Sequence, residues 1–105
     1  MKKLGQVDIC GIPHEVVERT VEEDPNLADC YGYFQPTIAM IVMRANLPGH
    51  VFTNTLFHEG QHGIWEHSGV GELKQDSDNY QEAFIQVYTP HLLAFTKSVK
   101  RLKVA

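Results

Sequence analysis

The most informative part of the chain is residues 55–64, which read Thr55-Leu56-Phe57-His58-Glu59-Gly60-Gln61-His62-Gly63-Ile64. Residues four apart lie about one turn apart on the same face of an α-helix, so His58 and His62 can present both imidazoles to a single ion. Glu59 is displaced by about 100° around the helix. Its carboxylate therefore lies beside the ligands and can take a proton from a water molecule held by the metal. Two nitrogen ligands, an adjacent base and an open position are the parts of a hydrolytic zinc site.

The positions around the two histidines are uncharged: Leu56, Gly60, Gln61 and Gly63, with Thr55 before them and the apolar Ile64 after them. A charge next to the ligands would compete for the metal or for the base, so this neutrality favours a metal site. In these respects the stretch resembles the longer signature of the zincin metallopeptidases. The alternative interpretation is a surface helix with paired histidines.

Length and composition predict one domain, residues 1–105, with a single modest core. The net charge of -4 argues against binding to nucleic acid or to an anionic membrane, because both require a basic face. No stretch has the length of a membrane span, and residues 1–8 lack the apolar run of a secretory signal. We therefore expect a cytoplasmic protein, monomeric or a small homo-oligomer. Cys10 and Cys30 are expected to be buried thiols rather than a disulfide.

Four segments have the pattern of β-strands. Residues 4–10 and 12–21 flank a glycine turn, and residues 29–34 and 37–44 are rich in aromatic and β-branched side chains. The last segment is apolar on both faces, which predicts a strand buried between sheet neighbours and a helix. His14 is interpreted as an exposed or edge-strand histidine rather than a ligand. We expect an α+β fold in which a small antiparallel sheet of about three to four strands is followed by two helices.

The histidine motif lies in the first predicted helix, which follows Asn46 as a candidate cap and Pro48 in the first turn. Residues 68–71 end this helix. Gly60 and Gly63 lie inside it, and each costs about 1 kcal/mol relative to alanine. Two such glycines indicate that another backbone packs closely against the helix.

The second predicted helix covers residues 80–102, where apolar side chains recur at helical spacing. Asp76 or Asp78 can cap its start. Pro90 lies inside it and predicts a bend within residues 86–90.

A catalytic zinc ion requires a third protein ligand. His67 lies about 180° around a continuous helix from the first histidine, and Glu66 stands about 12 Å along the axis from it. Asp76 and Asp78 are more simply helix caps. Glu82 is the strongest candidate, because it opens a largely apolar helix and a carboxylate aimed partly inward needs a partner. The alternative is a first-turn glutamate that interacts with the helix dipole.

The helix with Thr-Leu-Phe-His-Glu-x-x-His, followed by a loop and by Glu82-Ala83-Phe84 at the start of the next helix, resembles the minimal gluzincin pattern. It is similar to small HExxH proteins of phages and prophages, and more distantly to ImmA/IrrE-type metallopeptidases. The likeness covers residues 30–96, with specific motifs at 55–64 and 82–90. It implies a zincin-like minimal metallopeptidase fold, with Zn²⁺ bound by His58, His62 and Glu82 and with Glu59 as the base.

These residues lead to two functional hypotheses. The first is a zinc-dependent peptidase in which metal-activated water hydrolyses a peptide bond, with a peptide or protein as substrate. An extended substrate would pair with a strand edge, such as that of residues 37–44. The donor for the transition state is left open among four side chains, Tyr31, Tyr33, Tyr80 and His91.

The second hypothesis is a non-catalytic protein of phage type that zinc stabilises and that binds or inhibits a host or regulatory protein inside a bacterial host. A small domain gains usefully from a metal clip. Glu59 favours the enzyme, because a purely structural ion has no need of a neighbouring base.

Overall fold

The computed structural model describes residues 1–75 and 78–103. Its strands and helices are β1 (Lys2–Ile9), β2 (Ile12–Arg19), β3 (Gly32–Gln35), β4 (Met40–Arg44), α1 (Gly49–Ser68) and α2 (Tyr80–Val99). Short 3-10 helices lie at Pro25–Ala28, Pro36–Ile38 and Val70–Glu72. The predicted α+β class, a small sheet followed by two helices, is confirmed. Helix α2 is continuous through Pro90, where the sequence predicts a bend.

The sheet is mixed rather than antiparallel as predicted. Its strand order is β1-β2-β4-β3, with antiparallel pairs at β1/β2 and β3/β4 and a parallel pair at β2/β4. The connection after β2 carries the chain past the position of β4, so β3 forms the sheet edge and β4 returns into the gap. Because β4 pairs on both sides, the expectation that residues 37–44 offer a free edge to a substrate is wrong, and the edge strands of the sheet are β1 and β3.

The core lies between one face of the sheet and the two helices. Its buried side chains come from every layer: Leu4, Val7, Ile9, Val16, Ile41, Met43, Leu56, Ile64 and Phe95. A smaller cluster, Val17, Leu27 and Val42, covers part of the opposite face. Strand β4 therefore buries side chains on both faces, as its apolar sequence predicts.

Two glycines allow α1 to approach the core closely. A Cβ atom at Gly60 would overlap the ring of Phe95, and one at Gly63 would lie 2.8 Å from Cδ1 of Ile9. Close packing at both positions is therefore confirmed. The neighbours are side chains, however, and not the second backbone that the sequence suggested.

The helix caps differ from those predicted. Helix α1 begins after Pro48 rather than Asn46, which lies outside the helix with a φ of 65°. The N-cap position of α2 is Asn79 rather than Asp78, and the Asn79 side chain makes no capping hydrogen bond. The other candidate cap, Asp76, lies outside the described residues.

His14 is fully buried, which corrects the expectation of an exposed or edge-strand histidine. Strand β2 is an inner strand, and this position faces the helices. Its ring lies 5.2 Å from the ring of His67 and 5.7 Å from that of Phe34, measured between centroids. The sequence pattern correctly predicted a strand here. It does not show which side of the sheet α1 covers, because that depends on tertiary packing.

The two cysteines, Cys10 and Cys30, are free thiols, and each is half-buried. The prediction that they form no disulfide is therefore confirmed. Neither α1 nor α2, nor any other helix within the described residues, is long and apolar enough to cross a bilayer.

Candidate metal centre

The packing of α1 determines which of its side chains reach solvent. One face is buried against the core and is formed by Leu56, Gly60, Gly63 and Ile64. His58 and His62 lie on the exposed face. Because they are four residues apart, their rings meet one turn apart, as the motif predicts.

The geometry of this histidine pair fits a metal ion. The Nε2 atoms of His58 and His62 are 3.2 Å apart, and the rings stand nearly perpendicular at 81°. Two nitrogens at Zn–N distances of 2.0–2.1 Å in a tetrahedral site are roughly 3.3 Å apart. The side chain of His58 is 67% exposed, so an ion and further ligands have access from solvent.

Glu59 is far less exposed than the histidine beside it. Its side chain is 13% exposed, and its Oε2 lies 3.8 Å from Nε2 of His58. Burial raises the pKa of this carboxyl above its ordinary value, although the two neighbouring imidazoles act in the opposite direction. A carboxylate that is poorly solvated has a stronger affinity for a proton, which is the property that a general base requires.

A cavity of about 370 Å³ lies between α1 and the edge strand β3, and we call it the strand-side groove. Its lining includes Tyr31, Gly32, Thr55, His58 and Glu59. A Cβ atom at Gly32 would lie 2.8 Å from the carbonyl oxygen of Val42 and 3.1 Å from Cγ2 of Thr55. Glycine therefore allows the edge strand to lie directly against the helix that carries the motif.

A second cavity, of about 520 Å³, opens between α1 and α2, and we call it the helix-side pocket. It is lined by His58, Gln61, His62, Trp65, Phe84 and Tyr88. His58 contributes to both cavities, so the histidine pair lies between the edge strand on one side and α2 on the other.

The predicted third ligand, Glu82, does not line either of the two cavities beside the histidine pair. Glu82 is exposed, and its Oε1 accepts a hydrogen bond from Nε2 of Gln86 at 3.2 Å. The α2 residues that face the histidines are Phe84 and Tyr88. Glu82 precedes Phe84 by two residues, which places it about 160° away around the helix. Across residues 1–75 and 78–103, no three His, Cys, Asp or Glu side chains are grouped closely enough to hold an ion.

The four candidate transition-state donors lie in different places. Tyr31 is more than half exposed and lines the strand-side groove together with Glu59. The hydroxyl of Tyr33 instead donates to the carboxylate of Asp24. The ring of Tyr80 packs 6.1 Å from that of Phe84. The remaining candidate, His91, is half-buried.

Tyr88 and Trp65 are the site residues that sequence reasoning missed. The Tyr88 hydroxyl donates to Oε1 of Gln61, and burial raises the pKa of this phenol, so it remains protonated and able to donate. The signal was present in the spacing: Trp65 follows His62 by three residues, and Tyr88 follows Phe84 by four. Each of these spacings places two side chains on one helix face.

Comparison of the chain with protein-family models, with curated proteins and with solved structures found no match in any of the three. The likeness to small gluzincin-type proteins therefore rests on the residue pattern alone.

Proposed function

We propose that this protein is a zinc-dependent metallopeptidase of minimal, zincin-like type. The observation that carries the proposal is the exposed pair of Nε2 atoms, 3.2 Å apart, with the shielded carboxylate of Glu59 beside them. Zinc held there would polarise a carbonyl group and make water more acidic. The chain's own residues supply the binding, the base and the groove.

His58 and His62 would hold the ion through Nε2. Glu59 would accept a proton from the attacking water and pass it to the leaving amine nitrogen. Its raised pKa supports this role, because a carboxyl with a pKa closer to neutrality exchanges protons more readily near pH 7.

Glu82 is the proposed third ligand. It opens the helix that packs beside the histidine pair, and its carboxylate is accessible. Ligation requires the first turn of α2 to rotate so that this carboxylate faces α1. Because the hydrogen bond from Gln86 is exposed, exchanging it for a metal bond removes little stability.

The substrate would be an extended peptide that pairs with the free edge of β3 (Gly32–Gln35). This edge borders the strand-side groove, which Glu59 also lines. Main-chain hydrogen bonds to a sheet edge hold a peptide without regard to its sequence. Tyr31, which lines this groove, is the candidate donor to a developing oxyanion, because the Tyr88 hydroxyl already donates to Oε1 of Gln61.

The test has two stages. Purified protein is expected to bind one equivalent of zinc by mass spectrometry or X-ray fluorescence, and the His58→Ala variant is expected to lose it. His50→Ala removes another exposed histidine of the same helix and should leave the zinc content unchanged. Glu82→Gln should also lose zinc, whereas Glu66→Gln, an exposed glutamate of α1, should keep it. Zinc that remains in His58→Ala would contradict the proposed site.

The second stage asks about the reaction. Glu59→Gln is expected to retain zinc and to abolish cleavage of peptides in a bacterial lysate digest. If wild type and Glu59→Gln give the same fragments, the protein is not the peptidase.

The second candidate is a non-catalytic interaction protein that the metal stabilises. It requires no reaction and no general base, and the face of α1 that carries the histidine pair is exposed to a partner. In that case Glu59→Gln would retain the biological effect of the protein in its host, and loss of that effect would exclude a purely binding role.

A further inference from the structure

The helix-side pocket is chemically distinct from the groove on the other side of the histidines. Apart from the two imidazoles, its lining consists of three aromatic side chains and one amide: Trp65, Phe84, Tyr88 and Gln61. None of these lining residues is a carboxylate or a basic side chain. Its volume of about 520 Å³ is within the range of pockets that bind small organic groups.

The aromatic rings form two walls of this pocket. The rings of Phe84 and Tyr88 are nearly parallel, at 16°, with centroids 5.3 Å apart along α2. Trp65 from α1 is tilted by 49° relative to Phe84, with a centroid separation of 6.4 Å. Trp65 is 45% exposed, an unusual loss of buried area for so large a side chain. A planar ring resting against these walls from the open side of the pocket would meet faces and edges of aromatic neighbours, which is the preferred geometry of aromatic pairs.

The polar groups of Gln61 and Tyr88 in the wall already have partners. The Gln61 amide donates to the carbonyl of Phe57 at 3.2 Å, and its oxygen accepts from the Tyr88 hydroxyl. An apolar group can therefore enter the pocket without breaking these hydrogen bonds, whose loss would cost free energy. A charged or strongly polar side chain would find few unpaired partners there and would lose its hydration.

The pocket adjoins the proposed reaction site, because His58 and His62 line it and His58 also lines the strand-side groove. A peptide that pairs with β3 and passes over the histidines therefore brings the side chain of a neighbouring residue to the pocket mouth.

We propose that the helix-side pocket binds an aromatic side chain of the peptide substrate, so that the protein is selective for phenylalanine, tyrosine or tryptophan next to the bond positioned at His58 and His62. The selectivity in cleavage rests on the proposed peptidase function, whereas the binding itself does not. Filling an apolar pocket with a large side chain instead of a methyl group changes selectivity by about tenfold or more.

Binding can be measured without catalysis, because Trp65 is the single tryptophan of the chain and its emission reports on the pocket directly. The full chain with the Glu59→Gln substitution is titrated with a set of blocked hexapeptides that differ only at one central position, which is Phe, Leu, Ala or Glu. The Phe peptide is expected to change the emission with a Kd at least tenfold lower than that of the Ala peptide. Equal Kd values for these two peptides would overturn the proposal.

A variant separates the pocket from the metal site. Phe84→Ala removes one wall but leaves the histidines and the tryptophan reporter in place, so the preference for Phe over Ala should fall to less than threefold while the zinc content is unchanged. Ile85→Ala is the matched control, because this neighbouring side chain is exposed outside the pocket, and it should retain the preference. If Phe84→Ala does not fold, as judged by circular dichroism, Phe84→Leu is used instead and is expected to reduce the preference.

The two proposals fail in different ways. If the protein binds the Phe peptide selectively but neither binds zinc nor cleaves peptides, the proposal of the aromatic pocket stands and the proposal of the peptidase fails. If the protein cleaves peptides with no preference at any position, or if its preference survives in Phe84→Ala, the proposal of the peptidase stands and the proposal of the aromatic pocket fails.

Discussion

Helix α1 takes part in two histidine pairs, and the surroundings of the two pairs are opposite. His58 and His62 lie on its exposed face with Nε2 atoms 3.2 Å apart. His67, near its end, packs against His14 of strand β2, and the Nε2 atoms of both are buried. The exposed pair is open to an ion and its remaining ligands, whereas the buried pair is enclosed by the core. Solvent access, rather than the proximity of two imidazoles, distinguishes a candidate metal site from a packing contact.

The hydrogen bonding and the pKa of His14 reflect its burial. Nδ1 of His14 lies 2.8 Å from the carbonyl oxygen of Ile12, and because only an N–H can donate there, Nε2 is left as an acceptor. Within the described residues, neither buried Nε2 has a hydrogen-bond partner. Burial lowers the pKa of His14, and the nearby His67 acts in the same direction, whereas Asp8 raises the pKa. Burial of His14 therefore favours its neutral imidazole without requiring a metal.

The largest expected effect that distinguishes the pairs is stabilisation by zinc. At a free zinc concentration of 100 times Kd, binding to the folded state adds about 2.7 kcal/mol to the free energy of unfolding. For a domain of this size, that raises Tm by at least about 10 °C. Thermal melts with zinc and with a chelator should show this shift in wild type and in His14→Leu, and should not show it in His58→Ala. A shift that is lost in His14→Leu and kept in His58→Ala would show that zinc binds at the buried pair, which contradicts the prediction.

The second-largest expected effect is the change in the free energy of unfolding when the glycine near each pair is replaced by alanine. Gly60 lies between the two exposed histidines, and an added Cβ would overlap the fully buried ring of Phe95. Gly63, one turn before His67, would place its Cβ against the movable end of the Ile9 side chain. Overpacking costs about 1–3 kcal/mol, and replacing a helical glycine by alanine returns about 1 kcal/mol.

Gly60→Ala is therefore expected to lower the free energy of unfolding by about 2 kcal/mol, and Gly63→Ala by about half as much. Urea denaturation of the zinc-free protein measures both values. Gly69→Ala is unsuitable as a control because Gly69 has a positive φ, whereas Gly49, at the open start of α1, meets nothing within 4 Å and provides one. A larger loss at Gly63 than at Gly60 would contradict the packing described above.

The two pairs also show which features the sequence reveals. The exposed pair was predicted because a spacing of four residues on a helix is local, whereas the shielding of Glu59 was not predicted. The buried pair was missed because His14 and His67 meet only when β2 becomes an inner strand under α1. The parallel pairing of β2 with β4, which makes β3 the edge, is likewise a consequence of the long-range chain path.

The predicted third ligand, Glu82, shows the same limit of prediction from sequence at the site itself. Sequence identified Glu82 from its position at the start of an apolar helix. Which face of α2 meets α1 depends on how Phe84, Tyr88 and Phe95 pack against the first helix. Local periodicity indicates that α2 has an apolar face but does not give its rotation relative to the histidines. Zinc binding by Glu82 thus stays a prediction, and the zinc content of the Glu82→Gln variant will test it.

The smallest expected effect is the pH dependence of stability that the buried His14 confers. Because burial lowers the pKa of His14, the unfolded chain binds a proton near its ordinary pKa of about 6.5, whereas the folded state binds it only at lower pH. The stability contribution is therefore complete above about pH 6.5 and is lost as pH falls from there toward the folded pKa. One such group changes the free energy of unfolding by at most about 1.4 kcal/mol per pH unit.

Urea denaturation between pH 7 and pH 5, with chelator present so that zinc release does not contribute, should show this loss in wild type. The slope should be smaller in His14→Leu, which cannot bind the proton in either state, and unchanged in His50→Ala, where the imidazole is exposed in the folded protein. If His14→Leu retains the full slope, the acid sensitivity arises elsewhere and the two histidine pairs do not differ in the way their burial indicates. If the slope falls as expected, acid acts on the packing between α1 and the sheet, separately from its effect on metal binding.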